Sequence, residues 1–232
     1  MLVYGRNVAF EYLNFNKDSI QKITIQEGFS DKKLISLIEK TKIPVFFKNK
    51  REMDRLSDGA HQGIILDVMD YNYYSLNELL TEELDFVLIL DHLEDPHNLG
   101  AIIRTSESAG VGAIILPQNR EVQINATVMK TSAGTLSKVK IARVSNLVQA
   151  MDKLKDSGFW IVGTAMDGTD YKDIDYSGKI ALVIGNEGHG MSRLVRESCD
   201  FVASIPMRGT VNSLNASVAA GIMIYEVIRN RK

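Results

Sequence analysis

The chain has 232 residues, 45% hydrophobic and 24% charged, with 27 Lys and Arg against 29 Asp and Glu for a formal net charge of −2. These proportions suit one large soluble domain or two unequal ones. The longest apolar runs, such as 86–90, are too short to span a bilayer. The first residues lack the basic start and apolar stretch of a secretory signal. The single Cys199 excludes an internal disulfide framework and a cysteine-clustered zinc site, so reducing cytoplasm is the expected setting. Near-neutral net charge gives no reason by itself to expect nucleic acid, although an average hides local patches.

In chain order, hydrophobic periodicity predicts a mixed α/β N-terminal part. It comprises a helix over 5–14, a strand over 20–26, a helix over 31–41 capped by Asp31, a strand over 44–47, a short helix over 49–56 and a strand over 63–68. Within 40–55, Lys40, Lys42, Lys48, Lys50, Arg51 and Arg55 face only Glu52 and Asp54, a local excess of four positive charges. Such a surface fits a phosphate backbone, although on charge alone a solvated helix–loop–helix surface is the favoured reading. A tyrosine-rich and then acidic stretch over 69–83 reads as a connection. It places a small domain at 1–70, a linker at 71–83 and a larger domain at 84–232.

The larger part alternates strands at 86–91, 113–116, 140–144, 160–164, 180–185 and 201–205 with helices at 100–109, 125–132, 146–157 and 192–199, and a last helix at 215–229. This pattern predicts an α/β fold with a mostly parallel sheet covered on both faces. Ligands of such sheets bind beyond the carboxyl ends of the strands.

Three strand-end loops carry the chemistry. In Asp91-His-Leu-Glu-Asp-Pro-His-Asn-Leu-Gly-Ala-Ile-Ile-Arg-Thr105, Asn98 is the expected helix cap. Gly100 would let an anion approach free N–H groups, and Arg104 would project towards the same end. An ordinary cap and a surface arginine would look the same. In Leu182-Val-Ile-Gly-Asn-Glu-Gly-His-Gly-Met191, Gly185, Gly188 and Gly190 imply backbone that other residues resist. There Glu187 is either an acceptor for backbone N–H groups or a functional carboxylate, and His189 is a proton carrier or plain polar surface. After the sixth strand, Pro206 stiffens the exit, while Asn212, Ser213, Asn215 and Ser217 gather hydrogen-bonding groups at a helix start. No dinucleotide fingerprint, phosphate-binding loop or nucleophile elbow is present, and His61, His92, His97 and His189 lack transition-metal spacing. The residues alone lead to an α/β enzyme with a glycine-rich polar pocket and no metal.

The segments Asn98-Leu-Gly-Ala-Ile-Ile-Arg-Thr105, Ile184-Gly-Asn-Glu-Gly-His-Gly190 and Ile205-Pro-Met-Arg-Gly-Thr-Val-Asn-Ser-Leu-Asn215 together resemble the three motifs of the SpoU (TrmH-type) RNA ribose methyltransferases of the SPOUT superfamily. Tyr4-Gly-Arg-Asn-Val-Ala-Phe-Glu-Tyr-Leu13 and His61-Gln-Gly-Ile64 resemble the N-terminal substrate-binding domain of the RlmB-like subgroup. The resemblance implies S-adenosylmethionine-dependent 2′-O-methylation of structured RNA, with a guanosine of large-subunit ribosomal RNA as target. It also implies a homodimer, a C-terminal trefoil knot and a small α/β RNA-binding domain in front. By motif position, Gly185, Ile205 and Leu214 match cofactor-contacting residues, with Thr164, Asn186, Met207 and Ser213 as neighbours. Asn98, Arg104, Glu187 and Asn215 match the catalytic positions, and Lys48, Lys50, Arg51 and Arg55 are the RNA-binding candidates. The chain departs from many relatives at Ser132-Ala-Gly-Thr-Leu-Ser137, where an acidic residue is usual.

Methyl transfer from a sulfonium is a direct displacement, so orientation should dominate. A guanidinium is effectively always protonated and makes a poor base. Arg104 is therefore expected to bind the adjacent phosphate and Asn98 to orient the ribose, while Glu187 holds the loop or Arg104. The alternatives are a transfer RNA target, a catalytically silent RNA-binding protein on the same scaffold, and a small-molecule enzyme for which the basic stretch has no purpose.

Overall fold

The computed structural model describes residues 1–57 and 60–231; the side chain of Ser137, the last residue of the departing 132–137 segment, lies outside the described residues. Two compact units result, Met1–Asn72 with Ile124–Ser137, and Tyr73–Gln123 with Lys138–Lys232.

The first unit runs β1 (Leu2–Tyr4), α1 (Arg6–Phe15), β2 (Ile20–Gln26), α2 (Lys32–Glu39), β3 (Val45–Lys48), α3 (Lys50–Asp54) and β4 (Ile64–Val68). The strands form one sheet in the order β1-β4-β2-β3, antiparallel except for β2 with β3. Helix α1 buries Val8, Ala9, Tyr12 and Leu13, one stripe at helical spacing. Asp31 caps α2 as expected, and Asn49 caps α3 in a reciprocal box with Glu52. The inserted segment brings its own helix, Ala126–Thr131, whose Met129 Sδ accepts from the Tyr12 hydroxyl at 3.7 Å. The contiguous division at 70 and 84 therefore differs from the observed one. The expected linker holds a capped helix, α4 (Leu76–Leu80), whose Leu76 and Leu79 join the second unit's core.

That unit continues β5 (Phe86–Asp91), α5 (Pro96–Ala109), β6 (Ala113–Pro117), β7 (Lys140–Val144), α7 (Leu147–Asp156), β8 (Phe159–Asp170), β9 (Lys179–Gly185), α8 (Arg193–Glu197), β10 (Phe201–Ser204) and α9 (Ala216–Arg229), with α6 being the inserted helix. Its six strands are all parallel, in the order β10-β8-β9-β5-β6-β7. Val87, Ile89, Ala181 and Val183 pack on one side against α4, α7 and Val195 of α8. Leu88, Leu90, Leu182 and Ile184 alternate with them and are equally buried, and α9 packs on β9 and against α5. Strand order reverses between β5 and β9: the chain leaves β5 outward to β6 and β7, then crosses to β8 on the far side of β9, returns to β9 and ends at the opposite edge with β10. A reversal of this kind opens a crevice at the strands' carboxyl ends, the usual ligand position in such sheets.

Candidate active site

The β5 loop enters α5 through Asp95, whose side chain accepts from His97 N, with Pro96 at the first helical position. Asp95, not Asn98, is thus the cap. Pro96 has no N–H to leave unsatisfied there, which starts the helix earlier than the expected residue 100. Asn98 lies inside the first turn, 6% exposed, and its side chain is free for other work. Its Nδ2 donates to Glu187 Oε1 at 2.8 Å, and its Oδ1 accepts from Asn215 Nδ2 at 2.9 Å. Asn215 also caps α9, its Oδ1 accepting from Ser217 N and Val218 N. Three of the four expected catalytic positions therefore form one hydrogen-bonded chain, Asn215 to Asn98 to Glu187, joining all three motif loops.

Arg104 stands apart, exposed on α5, its guanidinium without a hydrogen bond or ion pair among the described residues. Glu187 accordingly holds Asn98 and not Arg104. Nor does it collect the loop's backbone donors: Asn186 Oδ1 accepts from Gly188 N and His189 N, while Asn186 Nδ2 donates to His92 O at 2.7 Å. Gly100 is buried within α5 and leaves no open approach for an anion. A Cβ on Gly185 would lie 2.3 Å from Gly190 C and Met191 N, so only glycine lets the loop close on itself there. Thr164 Oγ1 donates to Val183 O at 2.9 Å, at the start of a bulge where the β8–β10 register jumps. Beyond β10, Ile205, Met207 and Leu214 are half-buried and Ser213 is exposed in a segment without regular structure.

Two acids that sequence reasoning passed over brace this region. Asp91, almost fully buried, accepts from Ser192 N at 2.6 Å. Glu121, in the loop after β6, accepts from Leu93 N at 2.9 Å, and its Oε1 is buried without a partner among the described residues. Burial pushes the Glu121 carboxyl up to about 9; the Leu93 and His92 N–H groups pull it down, and the Asp91 and Glu187 charges add to the rise. The strand-end rule that directed attention to the other loops covers this one too. Between these anchors His92 is held at a φ of 62°, a left-handed conformation costly for a side chain with a Cβ.

In the first unit, Lys48 ends β3 and pairs with Glu52 at 3.4 Å. Lys50 and Arg51 open α3, and Arg55 follows it, all three exposed. The four expected RNA-binding cations thus share one strand–helix junction. Among the described residues, no helix is long and apolar enough to cross a membrane, and no group of three or more His, Cys, Asp and Glu could hold a metal ion.

An all-parallel sheet with a polar relay at its reversal point makes the β5 and β9 ends the candidate site of an α/β fold. The sequence pattern of the SpoU rRNA Methylase family matches residues 85–225, and that of RNA 2′-O ribose methyltransferase substrate binding matches residues 2–74. A Staphylococcus aureus protein assigned to the TrmH family of tRNA/rRNA methyltransferases is 43% identical, over 99% of this chain and 96% of its own length. Several solved structures cover the whole chain, two of them with AdoMet bound. The SpoU methyltransferase AviRb of Streptomyces viridochromogenes, in complex with AdoMet, is 26% identical at a TM-score of 0.84 over 90% of that chain. An AdoMet-bound rRNA methyltransferase of Sinorhizobium meliloti is 25% identical at 0.80 over 87%. The chain belongs to the SpoU/TrmH family of RNA methyltransferases.

Proposed function

We propose that the chain transfers the methyl group of S-adenosylmethionine to a ribose 2′-hydroxyl of structured RNA, with a guanosine of large-subunit ribosomal RNA as target. In this reading it is RlmB-like, works as a homodimer and carries the family's trefoil knot. The observation that carries the reading is the Asn215–Asn98–Glu187 relay at the sheet's reversal point. The substrate-binding pattern over residues 2–74 and the AdoMet held by two structural relatives support it.

The residues present fit the cofactor. Gly185 keeps the β9 loop free of side chain where the chain folds tightly, and Ile205, Met207 and Leu214 offer half-buried apolar surface on the neighbouring segment. Thr164, Asn186 and Ser213 supply polar groups beside them. When bound, S-adenosylmethionine supplies an electrophilic methyl group. Asn98, its amide fixed at both ends, orients the ribose. Arg104, unpaired and exposed, takes the phosphate next to the target and favours loss of the hydroxyl proton by its charge. Glu187 holds Asn98 in register.

The test is to map 2′-O-methylated nucleotides in total RNA from cells with and without the protein. This reading expects one ribosomal RNA position to lose its methyl group. A loss confined to transfer RNA would replace the substrate, and an unchanged map would overturn the proposal.

A further inference from the structure

The first unit contains two adjoining hollows that methyl transfer leaves without a task. One, of about 740 Å³, is polar and lined by Arg6, Phe29, Lys50, Asp54, His61 and Gln62 among others. The other, of about 370 Å³, is apolar, lined chiefly by Ile25, Ile35, Ile38, Val45 and Phe47. Gln26, Gly28 and Phe29 border both, so Phe29 forms the ridge between them. Each volume falls in the range, roughly 300–1,000 Å³, of small-ligand sites.

The polar hollow is built. The Arg6 guanidinium lies 5.4 Å over the Phe29 ring, Arg6 Nε donates to Gln62 O at 3.3 Å, and Asp31 stands 3.7 Å away. Gln62 takes a φ of 52° and accepts from Arg6 N at 2.8 Å. Gly63, at a φ of 83°, is required beneath the ring, because a Cβ there would lie 2.8 Å from Phe29 Cδ2. Buried His61 receives Gly63 N on Nδ1 at 2.9 Å and faces Asp54 Oδ1 from Nε2 at 3.0 Å, tying α3 to this turn. Among the described residues that line this hollow Asp54 is the one carboxylate, and it is turned to His61. Lys50, positioned by the Asn49 cap, has no partner among the described residues. Beside this cationic wall, Phe47 on edge strand β3 is 68% exposed and buries too little area to be explained by packing.

Cations that track a backbone, next to an exposed aromatic over an apolar hollow, are the combination that grips single-stranded nucleic acid. We infer that the two hollows together hold one unpaired nucleotide of the RNA substrate, its phosphate between Arg6 and Lys50 and its base against Phe47 in the apolar hollow. The inference rests on the RNA reading above and adds what the first unit selects: a nucleotide free of its helix, not a duplex backbone alone.

The test titrates the full chain into a fluorescent ten-nucleotide single-stranded RNA and into the same sequence as a perfect duplex. Phe47→Ala should weaken single-strand binding by roughly 10-fold and leave duplex binding within about 2-fold, since a stacked base contributes about 1–3 kcal/mol. Arg6→Gln should act in the same direction, and the exposed site of Phe47→Ala keeps the test valid if Arg6→Gln loosens the fold. Single-strand binding unchanged in Phe47→Ala, with a Lys48, Arg51 and Arg55 to Ala triple variant still weakened, would overturn the nucleotide pocket and leave the RNA reading standing. Failure of the parent chain to bind either RNA would overturn the nucleotide pocket, while the methylation map decides the RNA reading separately.

Discussion

In the second unit the polar groups at the strand ends are bonded to one another: Asn215 to Asn98, Asn98 to Glu187, Asn186 to His92, Asp91 to Ser192. In the first unit Lys50, Arg51 and Arg55 at the β3–α3 junction are exposed, and the groups fixed there are Lys48 on Glu52, the Asn49–Glu52 box and the His61–Asp54 contact. The difference matches two tasks. A displacement reaction gains from groups held in one geometry before the substrate arrives. Capture of a polyanion gains from charge and tolerates mobile side chains.

The sharpest way to break that contrast is Asn98→Ala, which removes both bonds of the relay. Methyl transfer should fall by about 10²-fold or more, measured with labelled S-adenosylmethionine, while RNA affinity holds. A rate near that of the parent would mean that the relay is structural only. Arg104→Lys retains the charge and loses the planar fork; kcat/KM should fall by roughly 10-fold with cofactor affinity by calorimetry unchanged. Turnover near normal would defeat the phosphate-clamp role.

Glu121 tests how tightly the second unit's brace is set. Its native pKa lies above the ordinary carboxyl value, so the folded chain holds more protons than the unfolded chain between about 4.5 and about 9, and this group lowers stability as pH rises through that window. Glu121→Gln imitates the protonated form. It should match the parent near pH 4.5 and exceed it progressively above, by on the order of 2 kcal/mol near pH 9, in denaturant melts. A gap that does not grow with pH would refute a buried neutral carboxyl.

The smallest effect belongs to the first unit's surface cations. Replacing Lys48, Arg51 and Arg55 with Ala should lower RNA affinity uniformly across sequences and reduce the salt slope by about 0.7–0.9 for each phosphate no longer neutralised. A sequence-dependent loss would show these cations to be positioned like the second unit's amides.

Local pattern reached most of the elements because periodicity and punctuation are local. Strands 86–91 and 140–144 match to the residue, since buried parallel strands read as continuous apolar runs bounded by turns. Helix α4 hides in a stretch read as linker; its Ser75–Glu78 capping box was the available signal. The Asp95–Pro96 start is equally legible, as a capping acid followed by proline at the first helical position. What the sequence could not display is partnership. Asn98 meets Glu187 and Asn215 across separations of 89 and 117 residues, and Tyr12 meets Met129 across 117. None of these three pairings leaves a trace in any local window, so the motif residues could be named while their partners, and the ownership of the 124–137 segment, are visible only in the fold.

If the relay serves methylation of a ribose hydroxyl, alkali reads it directly, because RNA cleavage by base needs a free 2′-hydroxyl. RNA from cells lacking the protein, labelled by the purified chain with methyl-tritiated S-adenosylmethionine and then hydrolysed in alkali, should carry its label in alkali-resistant dinucleotides. Label recovered in mononucleotides, as from a methylated base, would contradict the account.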